Sequence, residues 1–245
     1  MQSTIIGAPV PQIEGPAKVT GRTRYAADVD LPGMLWGKIL RSPHPHARIL
    51  SIDASAARSV PGVKAVITGQ DAPGHYMGKV LRDMPVLCWD KVRYIGDRVA
   101  AVAAETLEAA EEALLLIQVD YELLPAVFDP MEAMKPDAPL IHDDIASYHG
   151  APLDVLATDV HNGQTRLAWG KGDLAEGFRQ ADVILEHSFS VPSRHQGYLE
   201  PFASVISIDY DGRIQAWSSS KAPFRARLQL AQAMGLQDED IRVNV

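Results

Sequence analysis

Cysteine is almost missing from this chain. Cys88 is the single cysteine among 245 residues, so no internal disulfide can form, and the four thiolates that usually hold an iron–sulfur cluster are not present. The residue stands in an apolar Pro-Val-Leu-Cys-Trp run, where a small buried side chain is expected. Any iron–sulfur cluster that works with this protein must therefore be carried by another chain.

The chain also lacks an excess of positive charge and a long apolar run. Its formal net charge is -8 at pH 7, whereas nucleic-acid binding usually requires a basic face that replaces phosphate counterions. No stretch approaches the roughly 20 consecutive apolar residues of a membrane span, and the N-terminal residues lack the charged and apolar regions of a secretory signal. We therefore expect a cytoplasmic polypeptide with no nucleic-acid partner and no membrane span.

Strand and helix signals alternate through the first half of the sequence. Residues 53–71 combine an alanine-rich helical stretch, a Pro-Gly break and a β-branched strand. The same order returns as a strand over Val99–Ala103 and a helix over Thr106–Leu116, with Thr106 or Glu105 near the helix start. Such alternation predicts a mixed α/β layer and not a helical bundle.

The composition changes between about residues 130 and 170, where proline, acidic residues and histidine are frequent and no hydrophobic period is sustained. This pattern predicts a long linker that lies across a surface. His142, His149 and His161 are candidate metal ligands there, but their spacings of seven and twelve do not fit a helical or ribbon ligand set. We therefore predict surface or interface histidines and no metal site.

The second half contains a helix start, a strand and a hairpin. Asp173 is a candidate N-cap of a short helix, and apolar alternation predicts a half-buried strand over Val183–Val191. Further along, Asp211 and Gly212 separate two alternating runs, which is a strong hairpin signal. The far end of this hairpin carries Lys221 after three serines.

Three ordered segments carry longer motifs. Gly15–Asp53 contains Arg-Ser-Pro-His-Pro-His-Ala-Arg-Ile, Lys91–Val127 contains Tyr-Glu-Leu-Leu-Pro-Ala-Val, and Arg194–Val245 contains Leu-Glu-Pro and Ala-Trp-Ser-Ser-Ser. With these motifs the chain resembles the molybdopterin-binding large subunit of the xanthine dehydrogenase and aldehyde oxidase family. The match of three segments in one order makes a chance resemblance implausible.

The resemblance implies a fold class and a domain organisation. The fold class is α/β and α+β, with an α/β hammerhead domain followed by the first part of a molybdopterin-binding domain. We expect an N-terminal arm over residues 1–14, the hammerhead domain over 15–130, a linker over 131–170 and the incomplete molybdopterin-binding domain over 171–245. The family's glycine-rich loop beside the cofactor would follow residue 245.

The resemblance also implies an oxidoreductase. The chain would be part of the catalytic subunit of a molybdenum hydroxylase, which hydroxylates an aldehyde, a purine, an N-heterocycle or a related small molecule with water as the oxygen source. Its molybdopterin-type molybdenum cofactor would be shared with a C-terminal portion or chain, and [2Fe-2S] clusters and FAD would lie on partner chains, an iron–sulfur subunit and an FAD subunit. The catalytic residue is expected beyond residue 245, so the isolated chain should be inactive. The alternative is a non-catalytic assembly or scaffold subunit of such a complex.

Lys221 is the candidate cofactor-binding residue. The resembled family commonly has a glutamine at this position, whose amide donates a hydrogen bond to an oxo ligand of molybdenum. An ammonium here is a fixed positive charge instead of a neutral donor. It would change the metal centre, contact an anionic substrate, or mark a chain that has departed from hydroxylase chemistry. The alternative is that Lys221 extends into solvent at the end of the hairpin.

Arg194, His195 and Gln196 are candidates for the substrate channel, because the resembled family places this segment there. The alternative is that these three residues form a polar loop that binds no ligand. Glu200 follows in an apolar context, where an unpaired carboxylate would be costly. Arg225 or Arg227 on the next helix is therefore its expected ion-pair partner.

Overall fold

The structure is a computed structural model, and it divides into two compact units. The larger unit comprises Leu35–Gly197, and the smaller unit comprises the chain up to Met34 together with Tyr198–Val245. No helix among the described residues is long and apolar enough to cross a membrane. The structure describes residues 6–78, 81–150, 159–198 and 200–245.

Short helices and strands make up both units. The α-helices are α1 Gly15–Val19, α2 Ser55–Arg58, α3 Leu107–Leu116, α4 Pro130–Ala133, α5 Leu174–Gln180 and α6 Pro223–Met234. The strands are β1 Trp36–Arg41, β2 Ala47–Asp53, β3 Val63–Thr68, β4 Tyr76–Met77, β5 Met84–Pro85, β6 Lys91–Val92, β7 Arg98–Ala104, β8 Gln118–Leu123, β9 Ser204–Ile208, β10 Ile214–Ser218 and β11 Ile241–Asn244.

The larger unit is built around an antiparallel sheet with the strand order β1-β7-β3. Helices α2 and α3 pack on one face of this sheet. Helix α3 begins where the Thr106 hydroxyl accepts a hydrogen bond from the Ala109 amide at 3.1 Å. The buried core between helices and sheet consists of small and β-branched residues: Ala54, Ala57, Val60, Val66, Ala100, Val102, Ala104, Ala110, Ala113 and Ile117.

A second antiparallel sheet, β6-β2-β8, carries the other core of this unit. Cys88 lies in that core and is completely buried, as its apolar sequence context predicts. Burial, with Asp97 nearby, raises the pKa of the Cys88 thiol far above its ordinary value. The Cys88 carbonyl oxygen lies so close to Gly69 that a Cβ atom there would be 1.9 Å from it. Glycine is therefore required at position 69 by this backbone approach.

The smaller unit contains the sheet β11-β10-β9. Strands β9 and β10 form an antiparallel hairpin, and α6 connects β10 to the parallel strand β11. The hairpin turn uses Gly212 at a φ of 84°, and Gly235 ends α6 in the left-handed conformation. Ile214, Ala231 and Ile241 form the core between α6 and the sheet.

Local sequence signals predicted several of these elements correctly. The helix expected over Thr106–Leu116 is α3, the hairpin around Asp211 and Gly212 is present, and the Asp173 side chain caps α5 by accepting a hydrogen bond from the Glu176 amide. The predicted mixed α/β layer is the β1-β7-β3 sheet with its two helices.

The strand predicted over Val183–Val191 is wrong for this structure. This segment contains no regular strand, and its side chains are exposed. The reason is that a strand needs a neighbour for its backbone hydrogen bonds, and the described residues supply none. The domain boundaries proposed from the sequence stay predictions.

Candidate functional site

Lys221 lies between the end of β10 and the start of α6. The side chain is exposed, and the described residues give its ammonium group no hydrogen bond or ion pair. Helix α6 has Pro223 in its first turn, and no side chain caps its N-terminal amides. Uncapped amides at the N-terminus of a 12-residue helix favour negative charge. An exposed ammonium and a helix N-terminus thus occupy the same turn, a combination that suits an anionic group.

Serine hydroxyls hold this turn in place. The Ser219 hydroxyl accepts a hydrogen bond from the Ala203 amide at 3.0 Å, and the Ser220 hydroxyl accepts one from the Ala222 amide at 3.1 Å. Ser218 and Ser204 share a hydrogen bond of 3.0 Å across the hairpin. Each of the three serine hydroxyls thus has a neighbouring partner, whereas the Lys221 ammonium has none among the described residues.

Arg194, His195 and Gln196 belong to the end of the larger unit and are all exposed. The ring nitrogen Nδ1 of His195 accepts a hydrogen bond from the Gly197 amide at 3.1 Å. That local bond fixes the imidazole against its own loop. The placement of these three residues in a substrate channel stays a prediction.

The expected ion pair of Glu200 with Arg227 is wrong. Arg227 instead donates a hydrogen bond from Nη2 to Asp238 at 2.7 Å. The left-handed cap at Gly235 returns the chain toward α6 and brings Asp238 to the arginine. Arg225 is exposed and forms no ion pair with Glu200 among the described residues.

The linker is fixed to the larger unit by specific polar contacts, which sequence patterns did not reveal. Lys91 is buried and donates a hydrogen bond to Asp143 at 2.8 Å, and this bond holds the pKa of Asp143 below its ordinary value.

Asn162 has a φ of 54°, and its side chain connects three backbone groups of the linker. The side-chain oxygen accepts a hydrogen bond from the Ile141 amide. The side-chain nitrogen donates hydrogen bonds to the carbonyl oxygens of Ala133 and Pro139. The Asn-Gly dipeptide at 162–163 was the one local signal of this turn.

The linker histidines have protein partners. Nδ1 of His142 and the Tyr148 hydroxyl are 3.0 Å apart, and Nε2 of His161 lies 2.7 Å from the Ala138 carbonyl oxygen. The His149 carbonyl accepts a hydrogen bond from the Arg82 amide. Within the described ranges, no group of three or more His, Cys, Asp or Glu side chains is placed to hold a metal ion.

A cavity of about 700 Å³ lies along the linker in the larger unit. Apolar side chains such as Phe128 and Ile141 line it together with His142, His161 and Gln164. Lys91 is among the residues that line a cavity of about 420 Å³ in the same unit, and a cavity of about 370 Å³ lies beside Trp217 in the smaller unit. None of these three cavities is lined by Lys221 or by Arg194, His195 and Gln196.

Two family models match the chain in sequence order. Residues 20–125 match the a/b hammerhead domain of aldehyde oxidase and xanthine dehydrogenase. Residues 158–245 match the molybdopterin cofactor-binding domain. Each of the two units contains residues matched by both models.

Curated relatives match nearly all of this chain within longer chains. A probable xanthine dehydrogenase subunit from Bacillus subtilis is 38% identical over 231 residues, which are 94% of this chain and 29% of the relative. The nicotinate dehydrogenase large molybdopterin subunit of Eubacterium barkeri is 33% identical over 98% of this chain and 53% of its own length. The carbon monoxide dehydrogenase large chain of Afipia carboxidovorans is 39% identical, with 91% and 28% covered. The chain thus spans between about a quarter and a half of these relatives.

Solved structures agree with the sequence relatives. The Cu,Mo-CO dehydrogenase in its carbon monoxide reduced state superposes with a TM-score of 0.82 at 35% identity, covering 98% of this chain and 31% of that chain. Quinoline 2-oxidoreductase from Pseudomonas putida 86 gives a TM-score of 0.77 at 31% identity, covering 98% and 30%. The predicted fold class, a hammerhead domain followed by a molybdopterin-binding domain, is confirmed by these matches.

Proposed function

The chain belongs to the xanthine dehydrogenase and aldehyde oxidase family, and we propose that it forms part of the catalytic subunit of a molybdenum hydroxylase. The observation that carries this proposal is the ordered match of a hammerhead domain over residues 20–125 and a molybdopterin cofactor-binding domain over residues 158–245. The relatives named above are dehydrogenases. We propose an aldehyde, a purine, an N-heterocycle or a related small molecule as the substrate, with water as the oxygen source.

The turn between β10 and α6 fits an anionic cofactor. A molybdenum cofactor of the molybdopterin type, when bound, supplies a two-electron oxidation. On this chain, Lys221 and the uncapped amides of α6 offer positive charge and hydrogen-bond donors. We assign Lys221 the role of binding and orienting an oxo ligand of the cofactor or an anionic group of the substrate.

Arg194, His195 and Gln196 are proposed to face the substrate channel. The three side chains are exposed and polar, and they can orient a small molecule that carries carbonyl or ring-nitrogen acceptors. The Nδ1 atom of His195 accepts a hydrogen bond from the Gly197 amide, which orients the ring in its loop.

The electron-transfer groups are proposed to lie on partner chains. Cys88 is buried and is the single cysteine of the sequence, so this chain cannot hold an iron–sulfur cluster through thiolates. We propose an iron–sulfur subunit with [2Fe-2S] clusters, an FAD subunit, and the remaining part of the molybdopterin-binding subunit as partners. The last of these would complete the cofactor site.

Isotope labelling tests the proposed reaction. The native assembly that contains this chain is purified, and an aldehyde, a purine and an N-heterocycle are oxidised with an artificial electron acceptor in ¹⁸O-labelled water. The expected result is that at least one substrate class yields a product carrying one ¹⁸O atom. Label that comes from ¹⁸O₂ instead of water would contradict the proposal. Undiminished turnover by an assembly from which this chain has been removed would favour the alternative, a non-catalytic assembly subunit.

A further inference from the structure

His46 carries a buried ring nitrogen without a hydrogen-bond partner. The residue is 4% exposed, and its Nδ1 lies 2.6 Å from the Pro125 carbonyl oxygen. Because a carbonyl oxygen only accepts, Nδ1 carries the proton and donates. In the neutral ring, Nε2 is therefore an acceptor. Nε2 is buried and has no partner in the part of the chain that the structure describes, and a buried acceptor of this kind costs free energy unless a donor reaches it.

His46 lines the cavity of about 420 Å³ in the larger unit together with the buried Lys91. Lys91 is 7% exposed, and its Nζ donates to Asp143 at 2.8 Å. An ammonium group has three N–H donors, so Nζ keeps donors for a second acceptor. The Lys91 hydrogen bond is the main cause that lowers the pKa of Asp143, and the charge of a protonated His46 adds a smaller decrease. Both nitrogen groups thus lie close to the same carboxylate.

The charges on the wall of this cavity balance. Among its described residues, Arg48 and Lys91 are cationic, whereas Asp90 and Asp143 are anionic. A bare ion would gain little from such a wall and would lose its hydration. A neutral molecule with one donor and one acceptor suits it better, and apolar residues complete the wall: Ile49, Leu124, Pro125 and Leu140.

We propose that this cavity binds a small cyclic amide, a lactam, whose N–H donates to Nε2 of His46 and whose carbonyl oxygen accepts from Nζ of Lys91. The ring of a lactam holds N–H and C=O on one edge, whereas a trans peptide group of a polypeptide directs them to opposite sides. The volume of about 420 Å³ lies in the range of small-molecule sites. The inference goes beyond the proposed function, because binding requires no turnover.

Two ligands that differ in one hydrogen-bond donor test the site. 2-Pyridone has the lactam N–H, and N-methyl-2-pyridone has a methyl group in its place. At about pH 8, where ordinary imidazoles are neutral, 2-pyridone should bind the 245-residue chain with a dissociation constant of roughly 1 mM or tighter. N-methyl-2-pyridone should bind at least about tenfold more weakly. In a nuclear magnetic resonance titration, the ¹⁵N resonance of Nε2 of His46 should shift with 2-pyridone alone.

The His46→Asn variant removes Nε2 and keeps a donor for Pro125. The asparagine amide can donate to the Pro125 carbonyl oxygen in place of Nδ1, so thermal unfolding should change little, whereas 2-pyridone binding should weaken about tenfold. His187→Gln removes an exposed imidazole and should leave binding unchanged. If His46→Asn does not fold, the comparison of the two ligands on the unaltered chain decides.

Three results would overturn the proposal: no binding of 2-pyridone, equal binding of the two ligands, or full binding by a folded His46→Asn variant. Binding to the isolated chain that disappears in the native assembly would show that another chain fills the cavity, which also overturns it. None of these measurements depends on turnover, so the isotope-labelling experiment reports separately on the proposed function.

Discussion

At the residue scale, Lys221 is the side chain on which the proposed cofactor contact depends. Replacing it with alanine removes a charge-assisted hydrogen bond to an oxo ligand or an anionic substrate group. We expect Lys221→Ala to reduce turnover or substrate affinity of the native assembly by roughly ten- to a hundredfold. The free energy of unfolding should stay the same, because the Lys221 side chain is exposed and unpaired among the described residues. Steady-state kinetics and denaturant unfolding measure the two quantities.

Two further variants identify which contact Lys221 makes. Lys221→Gln keeps a hydrogen-bond donor without the charge, so it should retain more activity than Lys221→Ala if an oxo ligand is the partner. Equal loss in both variants would indicate that the charge binds the substrate. Lys171→Ala removes another exposed lysine and should have no effect. Full activity of both Lys221 variants would contradict a ligand contact.

Gly69 provides a test of the larger unit. A Cβ atom at this position would lie 1.9 Å from the Cys88 carbonyl oxygen, so Gly69→Ala must displace the backbone. We expect a loss of about 3 kcal/mol or more in the free energy of unfolding. Gly37→Ala is the matched control, because a Cβ atom there meets no atom within 4 Å. A neutral Gly69→Ala variant in urea unfolding would show that the described approach is incorrect.

These two residues differ in how far sequence could predict them. A family motif points to Lys221 as a ligand-binding residue, and the structure adds the uncapped helix beside it. Nothing near Gly69 in the sequence indicates that the Cys88 carbonyl will contact it, because the contact arises between distant parts of the chain. Close backbone approaches of this kind are set by tertiary packing.

At the scale of elements, the linker should respond to pH through His142. Burial lowers the pKa of His142 below its ordinary value of 6.5. The positive charges of Arg93 and Lys91 lower this pKa further, and the negative charges of Asp83 and Asp143 raise it by less than the total decrease. The unfolded chain therefore binds this proton at a higher pH than the folded chain. Because the unfolded state then holds more protons, stability falls as the pH decreases below 6.5 toward the folded pKa.

Variants of the linker test this pH dependence. Replacing His142 with glutamine should flatten the decrease in the free energy of unfolding between pH 6.5 and pH 5. The Tyr148→Phe variant removes the hydroxyl that lies 3.0 Å from Nδ1 of His142, so it should destabilise the chain at neutral pH without removing the titration. An unchanged pH profile in the His142 variant would assign the effect to another group.

Elements with local signals were predictable, and elements that depend on distant partners were not. Helix α3 follows from the cap at Thr106, and the β9–β10 hairpin follows from its Asp-Gly turn. The segment 183–191 has the alternating period of a strand, but a strand forms only when a second segment supplies the hydrogen-bonding partner. The period alone therefore does not predict whether the strand forms. The Lys91–Asp143 hydrogen bond joins residues 52 positions apart, and no periodicity encodes such a contact.

At the scale of the whole molecule, the smaller unit has an incompletely covered sheet. Ile208 lies opposite Ile214 in the β9–β10 ladder and so shares the face that α6 covers. Ile208 is nevertheless 67% exposed, and Phe224 on α6 is 78% exposed. Helix α6 thus shields β10 and β11, whereas Ile208 on β9 stays exposed.

The open face should bind a hydrophobic dye in the isolated chain. A variant with both Ile208→Thr and Phe224→Ser should bind less dye and keep its free energy of unfolding within about 0.5 kcal/mol. Leu115→Ser removes one exposed leucine from the larger unit and should leave dye fluorescence nearly unchanged. A strong decrease in dye fluorescence with Leu115→Ser, or no decrease with the double variant, would show that the dye does not bind at the open face of the smaller unit.

Molybdenum stoichiometry tests the central claim most directly. We expect the native assembly to contain about one molybdenum and one pterin per copy of this chain. The chain purified alone should contain almost no molybdenum or pterin, because Lys221 and the α6 amides provide too few contacts to hold the cofactor. Metal analysis and pterin extraction on the two preparations measure this. A native assembly with no molybdenum would contradict membership in a working molybdenum hydroxylase, and a nearly full complement in the isolated chain would contradict a shared cofactor site.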